Sequence, residues 1–172
     1  MKTITEVIAL FPDTKSEQWR QHENGKGWVF EKAHAEASSL IEGIVSGNAQ
    51  VSGNAQVYGY AWVYGNAQVY GYARVYGNAL VSGNAQMSGN ALVYGDAWVS
   101  SPLYIQGTRH SMTLCSFTEI AIGCEVHSIV DWKKKYKTIG AKAGYTKAEI
   151  KEYGEYIAMF AKAARRFQKA SK

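Results

Sequence analysis

Proline is nearly absent from this chain: Pro12 and Pro102 are the only two in 172 residues. Almost every backbone amide between them is therefore free to pair in a ladder. Cysteine is as scarce, with Cys115 and Cys124 alone, which excludes a disulfide framework and fits a reducing, cytoplasmic setting. No run approaches the roughly 18 apolar residues of a membrane span. Val7 to Phe11 is too short for a signal-peptide core, and Asp13 and Lys15 follow at once. We expect a cytoplasmic protein without a membrane partner. Charge is missing from the middle of the chain, where Arg74 and Asp96 are the only charged side chains from 44 to 108. The formal net charge of +5 divides as −2 over residues 1–43, −1 over 44–130 and +8 over 131–172. The basic character thus belongs to the C-terminal tail.

What the middle does contain is a period. Residues 45–98 read VSGNAQ, VSGNAQ, VYGYAW, VYGNAQ, VYGYAR, VYGNAL, VSGNAQ, MSGNAL, VYGDAW, nine hexads without insertion. Each unit cannot bury its apolar side alone, so the units must stack. Alternation along Ala-x-Val sends Ala49 and Val51 to one side and Gln50 and Ser52 to the other. Gly53-Asn54 and its equivalents suit a corner with left-handed backbone angles, which Gly and Asn tolerate best. A helix is excluded, because a Gly every six residues would cost about 1 kcal/mol each. Only Val and Ala recur on the inward side, so the interior must be narrow.

The flanks are less regular. Residues 1–27 form an N-terminal leader with a short helix, for which Asp13 is the candidate N-cap before Ser16–His22. Val29 with Ala33 and Ala35 with Ser39 continue the repeat in degenerate form, and the phase slips before Val45. The repeat region is therefore bounded at 28–108, its first coil acting as a cap. Residues 109–172 form a second module. Within it 112–123 predict two strands, and Ser128 with Asp131 opens a helix to about Ile139. Gly140 and Gly144 break the chain. Thr146 with Glu149 opens a longer helix to about Lys169, with one stripe through Ile150, Tyr153, Ile157, Phe160, Ala164 and Phe167.

At the hexads the chain resembles the left-handed parallel β-helix of hexapeptide-repeat proteins, whose unit is an aliphatic residue followed four positions later by a small one, as in Val63 and Ala67. The resemblance implies an all-β solenoid, a left-handed parallel β-helix shaped as a triangular prism, with a C-terminal α-helical cap. Three hexads make one coil in that family. The tail is similar to the module that follows such repeats in phage and prophage proteins, at Ile122, Gly123, Cys124, His127, Trp132, Ile139, Gly140, Gly144, Tyr145 and Tyr153. That implies a phage-type accessory protein.

Chemistry finds few candidates. The best-known enzymes resembling the coils are acyltransferases using acetyl-CoA, with a His near a corner and a long loop beside it. The nine hexads contain neither; His22, His34, His110 and His127 all lie outside them. Acyltransferase activity is the enzymatic alternative, and we expect no catalytic residue and no cofactor. Cys124 and His127 form a C-x-x-H pair, which fits a zinc site, a Cys-His nucleophile, or a packed thiol beside a helix start. A zinc site needs four ligands and normally shows two such pairs, so the packed thiol is preferred and no metal is expected. The basic tail, with Lys133, Lys134, Lys135, Arg165 and Arg166, offers charge for a phosphate backbone but no base-reading motif. Solvated helix faces are the preferred account, and nucleic acid is the disfavoured partner.

Residues eighteen apart should stack at the roughly 4.8 Å strand spacing. One side then shows Trp62, Leu80 and Trp98 beside Tyr64, a second a Gln row, and the third Tyr58, Tyr76 and Tyr94. Monomers rarely leave two Trp and a Leu uncovered. Either the C-terminal helix stripe or another subunit should cover them. We expect a homo-oligomer, trimer ahead of dimer, with the Trp or the Tyr column at the contact. The functional expectation is a non-enzymatic binding protein of phage or prophage type. A counter-defence inhibitor acting on a host protein or a small-molecule signal is one form of it, and a virion structural role is a further alternative.

Overall fold

The computed structural model describes residues 2–170. Two compact units divide after Pro102, earlier than the boundary at 108 read from the sequence. Tyr104–Gln106 already pairs with Ser111–Leu114 in the second unit.

The first unit is a parallel β-solenoid of about four turns. Short strands of two or three residues stack into three parallel ladders, one per side. On the first side Trp28–Phe30, Ile44–Val45, Trp62–Val63, Leu80–Val81 and Ala97–Trp98 follow one another. Val45, Val63 and Val81 are in register, as are Val51 and Val69 on the second side and Val57 and Val75 on the third. Every one of them is fully buried, with Ala49, Ala55, Ala61 and their successors filling the remaining interior. The corners turn through Gly at positive φ, from Gly47 at 63° to Gly95 at 81°. At one corner the stacking is so close that a Cβ on Gly47 would sit 2.9 Å from the Gly65 nitrogen. Asn48, Asn66 and Asn84 ladder along the same corner, amide to amide, at 3.2 and 3.4 Å.

The ends depart from the period in opposite ways. Below the hexads Val29, Ala35 and Ile41 pair with Val45, Val51 and Val57, so the first coil is two residues short. The loss falls between Ile41 and Val45, where the amides of Glu42 and Gly43 both donate to the Val57 carbonyl. At the other end the corner after Gly95 is one residue short. Asp96 rather than Ala97 accepts from the Leu80 amide, Ala97 pairs with Leu80, and Trp98 pairs with Val81. Trp98 is consequently turned inward and 1% exposed, while Val99 is 65% exposed. The expected Trp62–Leu80–Trp98 column does not form.

The N-terminal segment also differs from expectation. Its helix is α1, Ile4–Leu10, capped by Thr3 through a reciprocal box with Glu6; Ser16–Gln18 is a single 3-10 turn. Trp19–Gln21 then runs antiparallel to Trp28–Phe30 and closes the edge of the first ladder. Val7, Trp19 and Ile44 form a buried cluster, flanked by Phe11, Trp28, Phe30 and Trp62. The segment is tied down by Trp28, whose Nε1 donates to the Lys2 carbonyl at 2.8 Å. Buried His22 sits between the carbonyls of Asn24 and Glu36, each 2.9 Å from a ring nitrogen.

The second unit is a four-stranded antiparallel meander, Tyr104–Gln106, Ser111–Leu114, Glu119–Ile122 and Glu125–Ser128. Two helices follow it: α2, Ile129–Lys142, and α3, Lys147–Ala170. Ser128 caps α2 by accepting from the Asp131 amide, and Thr146 and Glu149 form a box at the start of α3. Gly140 lies inside α2 rather than ending it; Gly144, at φ 71°, makes the turn. Tyr153, Ile157, Phe160 and Ala164 are buried.

Candidate functional site

Two glycines set how α2 and α3 meet. A Cβ on Gly140 would lie 3.0 Å from Ile150 Cγ1, and one on Gly154 would lie 2.7 Å from Tyr136 Cε2. Each helix thus accepts a bulky side chain from the other at close range. Trp132, in the first turn of α2, is buried and donates its indole N–H to the Ile120 carbonyl at 2.7 Å, which fixes α2 on the meander. Tyr153 of α3 holds the loop between the first two strands. Its hydroxyl accepts from the amides of Arg109 and His110 at 3.1 and 2.5 Å and donates to the His110 carbonyl at 2.7 Å. Gly107 permits this approach, since a Cβ there would be 2.6 Å from that hydroxyl. Glu152 accepts from both the amide and the hydroxyl of Thr108.

These contacts leave a cavity of about 140 Å³ inside the module. Trp132, Tyr136, Tyr145 and Tyr153 supply aromatic walls, Ile122, Ile139, Ile150 and Ile157 the aliphatic ones, and His110, Cys124 and Glu125 the polar edge. Tyr145 stands edge-on to Tyr153 at 5.2 Å, with the Arg109 guanidinium 4.9 Å over its ring. Burial, reinforced by neighbouring Tyr153, pushes the Tyr145 phenol from its ordinary 10.0 up to about 12. Arg109 is held by the Gly144 carbonyl at 2.7 Å and by Glu149 at 3.7 Å. The Glu149 and Glu152 carboxyls are held below the usual range, chiefly by hydrogen bonds from Thr146 and Thr108. Such a space can take an aromatic ring by stacking and apolar contact, with polar atoms turned to the edge.

The residues singled out in the sequence fall in several places. Cys124 is exposed at the turn after Gly123 and lines the cavity, while His127 points to the Glu125 carboxylate at 3.1 Å and stands edge-on to Trp132 at 4.8 Å. The imidazole brought to the Gly123–Cys124 turn is His110, which a Cβ on Gly123 would meet at 3.1 Å. Among the described residues no three His, Cys, Asp or Glu side chains converge as a metal site would require. Lys133, Lys134, Arg165 and Arg166 are exposed, and Lys135 pairs with Asp131 at 2.8 Å. On the solenoid, Tyr58 stacks on Tyr76, and Tyr94 follows tilted by 35°, with ring centroids 5.1 Å apart at each step. Trp62 lies under Phe11, 5.3 Å away, Leu80 is half-buried, and Tyr64 borders a hollow of about 190 Å³ beside Phe11 and Trp19. Trp98 is inside the coil.

Sequence reasoning missed Tyr136 and did not recognise the cavity. One signal was present: Trp132, Tyr136, Ile139 and Ala143 repeat at steps of four, three and four, which is a helix stripe of its own. No helix among the described residues is long and apolar enough to cross a membrane. Comparison with curated proteins and with solved structures found no match. Comparison with family models found the YdcK β-solenoid repeat, matching residues 49–65, 67–83, 73–88 and 85–101.

Proposed function

We propose that this is a non-catalytic binding protein in which a β-solenoid is joined to a ligand-binding C-terminal module. The observation that carries this reading is the aromatic-walled cavity of about 140 Å³ in that module. Seven of the ten positions at which the tail resembles phage-type modules line it: Ile122, Cys124, Trp132, Ile139, Gly140, Tyr145 and Tyr153. Binding is favoured over turnover because the hexads hold neither His nor an inserted loop. The test is NMR of the full chain with phenol and pyridine as probes. Shifts clustered at Trp132, Tyr136 and Tyr145, and lost in Ala143→Trp, are expected. No shift with either probe ends the reading, and acetyl-CoA turnover on a panel of amines would replace it with the acyltransferase.

The setting we propose is a phage or prophage accessory role in the host cytoplasm, as a counter-defence factor that captures a host protein or a small-molecule signal. Only the resemblance of the tail supports that setting. Self-association belongs to the same proposal, trimer ahead of dimer. With Trp98 inside and Trp62 beneath Phe11, Tyr58, Tyr76 and Tyr94 form the remaining aromatic column for a second copy. Light scattering of the wild type and of Tyr76→Glu tests it, and a wild-type monomer at tens of micromolar removes it.

A further inference from the structure

A second hollow adjoins the aromatic cavity. It is an open groove of about 410 Å³ lined by Tyr136, Lys137, Lys147, Ile150 and Lys151. Tyr136 and Ile150 line both spaces, so the apolar chamber and the cationic groove meet at these two residues. The three lysines come from the middle of α2 and the first turns of α3. They are exposed, and none has a carboxylate within ion-pair distance among the described residues. Of the acids nearby, Asp131 is engaged by Lys135, Glu149 by Arg109 and Thr146, Glu152 by Thr108 and Glu125 by His127, while Glu155, four residues on from Lys151, is exposed. Three uncompensated ammonium groups beside one groove raise the local concentration of anions.

The chamber sets a size. A cavity of about 150 Å³ holds one benzene ring, and this one is about 140 Å³. Its enclosed part matches a single six-membered ring. Its edge is polar, through His110, Glu125 and Tyr145, which suits a ring bearing hydrogen-bonding atoms better than a phenyl group. Aromatic walls stack on such a ring, and lysines beside it hold a phosphate as point charges.

We propose that the C-terminal module binds a pyrimidine nucleotide, with the base in the chamber bounded by Tyr136 and the phosphate on Lys137, Lys147 and Lys151. The inference rests on the cavity being a ligand site. The same chemistry is offered by a free nucleotide and by the end of a nucleic acid strand, and the free nucleotide is the ligand proposed.

Calorimetry on the full chain tests this with CMP and UMP, set against cytidine, AMP and a short single-stranded oligonucleotide. One nucleotide per chain is expected, cytidine binding at least tenfold more weakly, and AMP more weakly than either pyrimidine nucleotide. Replacing Lys137, Lys147 and Lys151 together by Gln should remove the advantage of CMP over cytidine and leave cytidine binding unchanged. Ala143→Trp, at an exposed position on the cavity lining, should abolish binding of both without lowering the melting temperature. If cytidine or phenol binds, but the phosphate and the three lysines make no difference, the nucleotide is wrong and the cavity remains a ligand site. If no aromatic probe binds, both fall. AMP binding as tightly as CMP overturns the single-ring limit, and an oligonucleotide binding more tightly than CMP overturns the free nucleotide.

Discussion

The ring of Phe11 lies 5.3 Å from that of Trp62. One residue at the end of the N-terminal helix therefore covers the largest outward side chain of the regular coils. Aromatic pairs at such distances contribute about 0.5–1.5 kcal/mol beyond the area they bury. A double-mutant cycle of Phe11→Ala and Trp62→Ala, read by chemical denaturation, should give a coupling in that range. Additive effects would mean the two rings do not meet.

Trp98 and Val99 give opposite expectations from those of an unbroken hexad pattern. Trp98→Ala should cost about 3–5 kcal/mol, because it empties a buried site. Val99→Asp should stay within about 0.5 kcal/mol, as an exposed change away from special features does. Melting curves check both, and a damaging Val99→Asp would restore the uninterrupted phase.

The period was legible from 45 to about 93 because each position repeats its own chemistry: Val inside, Gly at the corner, Ala inside. The shortened corner at Gly95–Asp96 was not, since deleting one residue leaves a hexad that still spells VYGDAW. Only hydrogen bonding distinguishes Asp96 from Ala97 as the partner of Leu80. The leader helix has a visible signal, Thr3-x-x-Glu6 followed by Val7, Ile8 and Phe11, with which Asp13 competes as a cap. The cavity was harder. Its walls come from strand ends and two helices, and no spacing along a chain states that Ile122 and Tyr145 will face one space.

Corner glycines differ in what they tolerate. Gly47→Val combines φ 63° with a Cβ 2.9 Å from the Gly65 nitrogen, so backbone strain of about 1–3 kcal/mol is compounded by a clash. Gly95→Ala, at φ 81° with nothing within 4 Å, should cost only about 1 kcal/mol from the backbone angle. Differential scanning calorimetry should rank Gly47→Val well below Gly95→Ala, and equal melting temperatures would refute the close stacking.

Alkaline pH should act on the C-terminal module through Tyr145. Its folded-state value is raised from 10.0 to about 12, mainly by burial. A raised value means the fold favours the neutral phenol. That contribution is intact below pH 10 and is lost as pH rises through about 12. Thermal melts across this window should show a decline in the wild type that is smaller in Tyr145→Phe. Identical declines would mean the Tyr145 ring is not sequestered.

The eighteen-residue stacking of Val45, Val63 and Val81 also fixes which changes of length the gene can absorb. Removing one hexad leaves an unbroken ladder but advances every later residue by a third of a turn. A hexad lost between Tyr58 and Tyr94 would split the tyrosine column between two walls, and one lost between 45 and 56 would carry Trp62 away from Phe11. Removing three hexads shortens the prism by one storey and returns each residue to its own wall. The repeat is thus a ruler graduated in eighteens, along which recombination between near-identical units such as 45–50 and 51–56 alters height freely and surface pattern only when the step is a fraction of a coil.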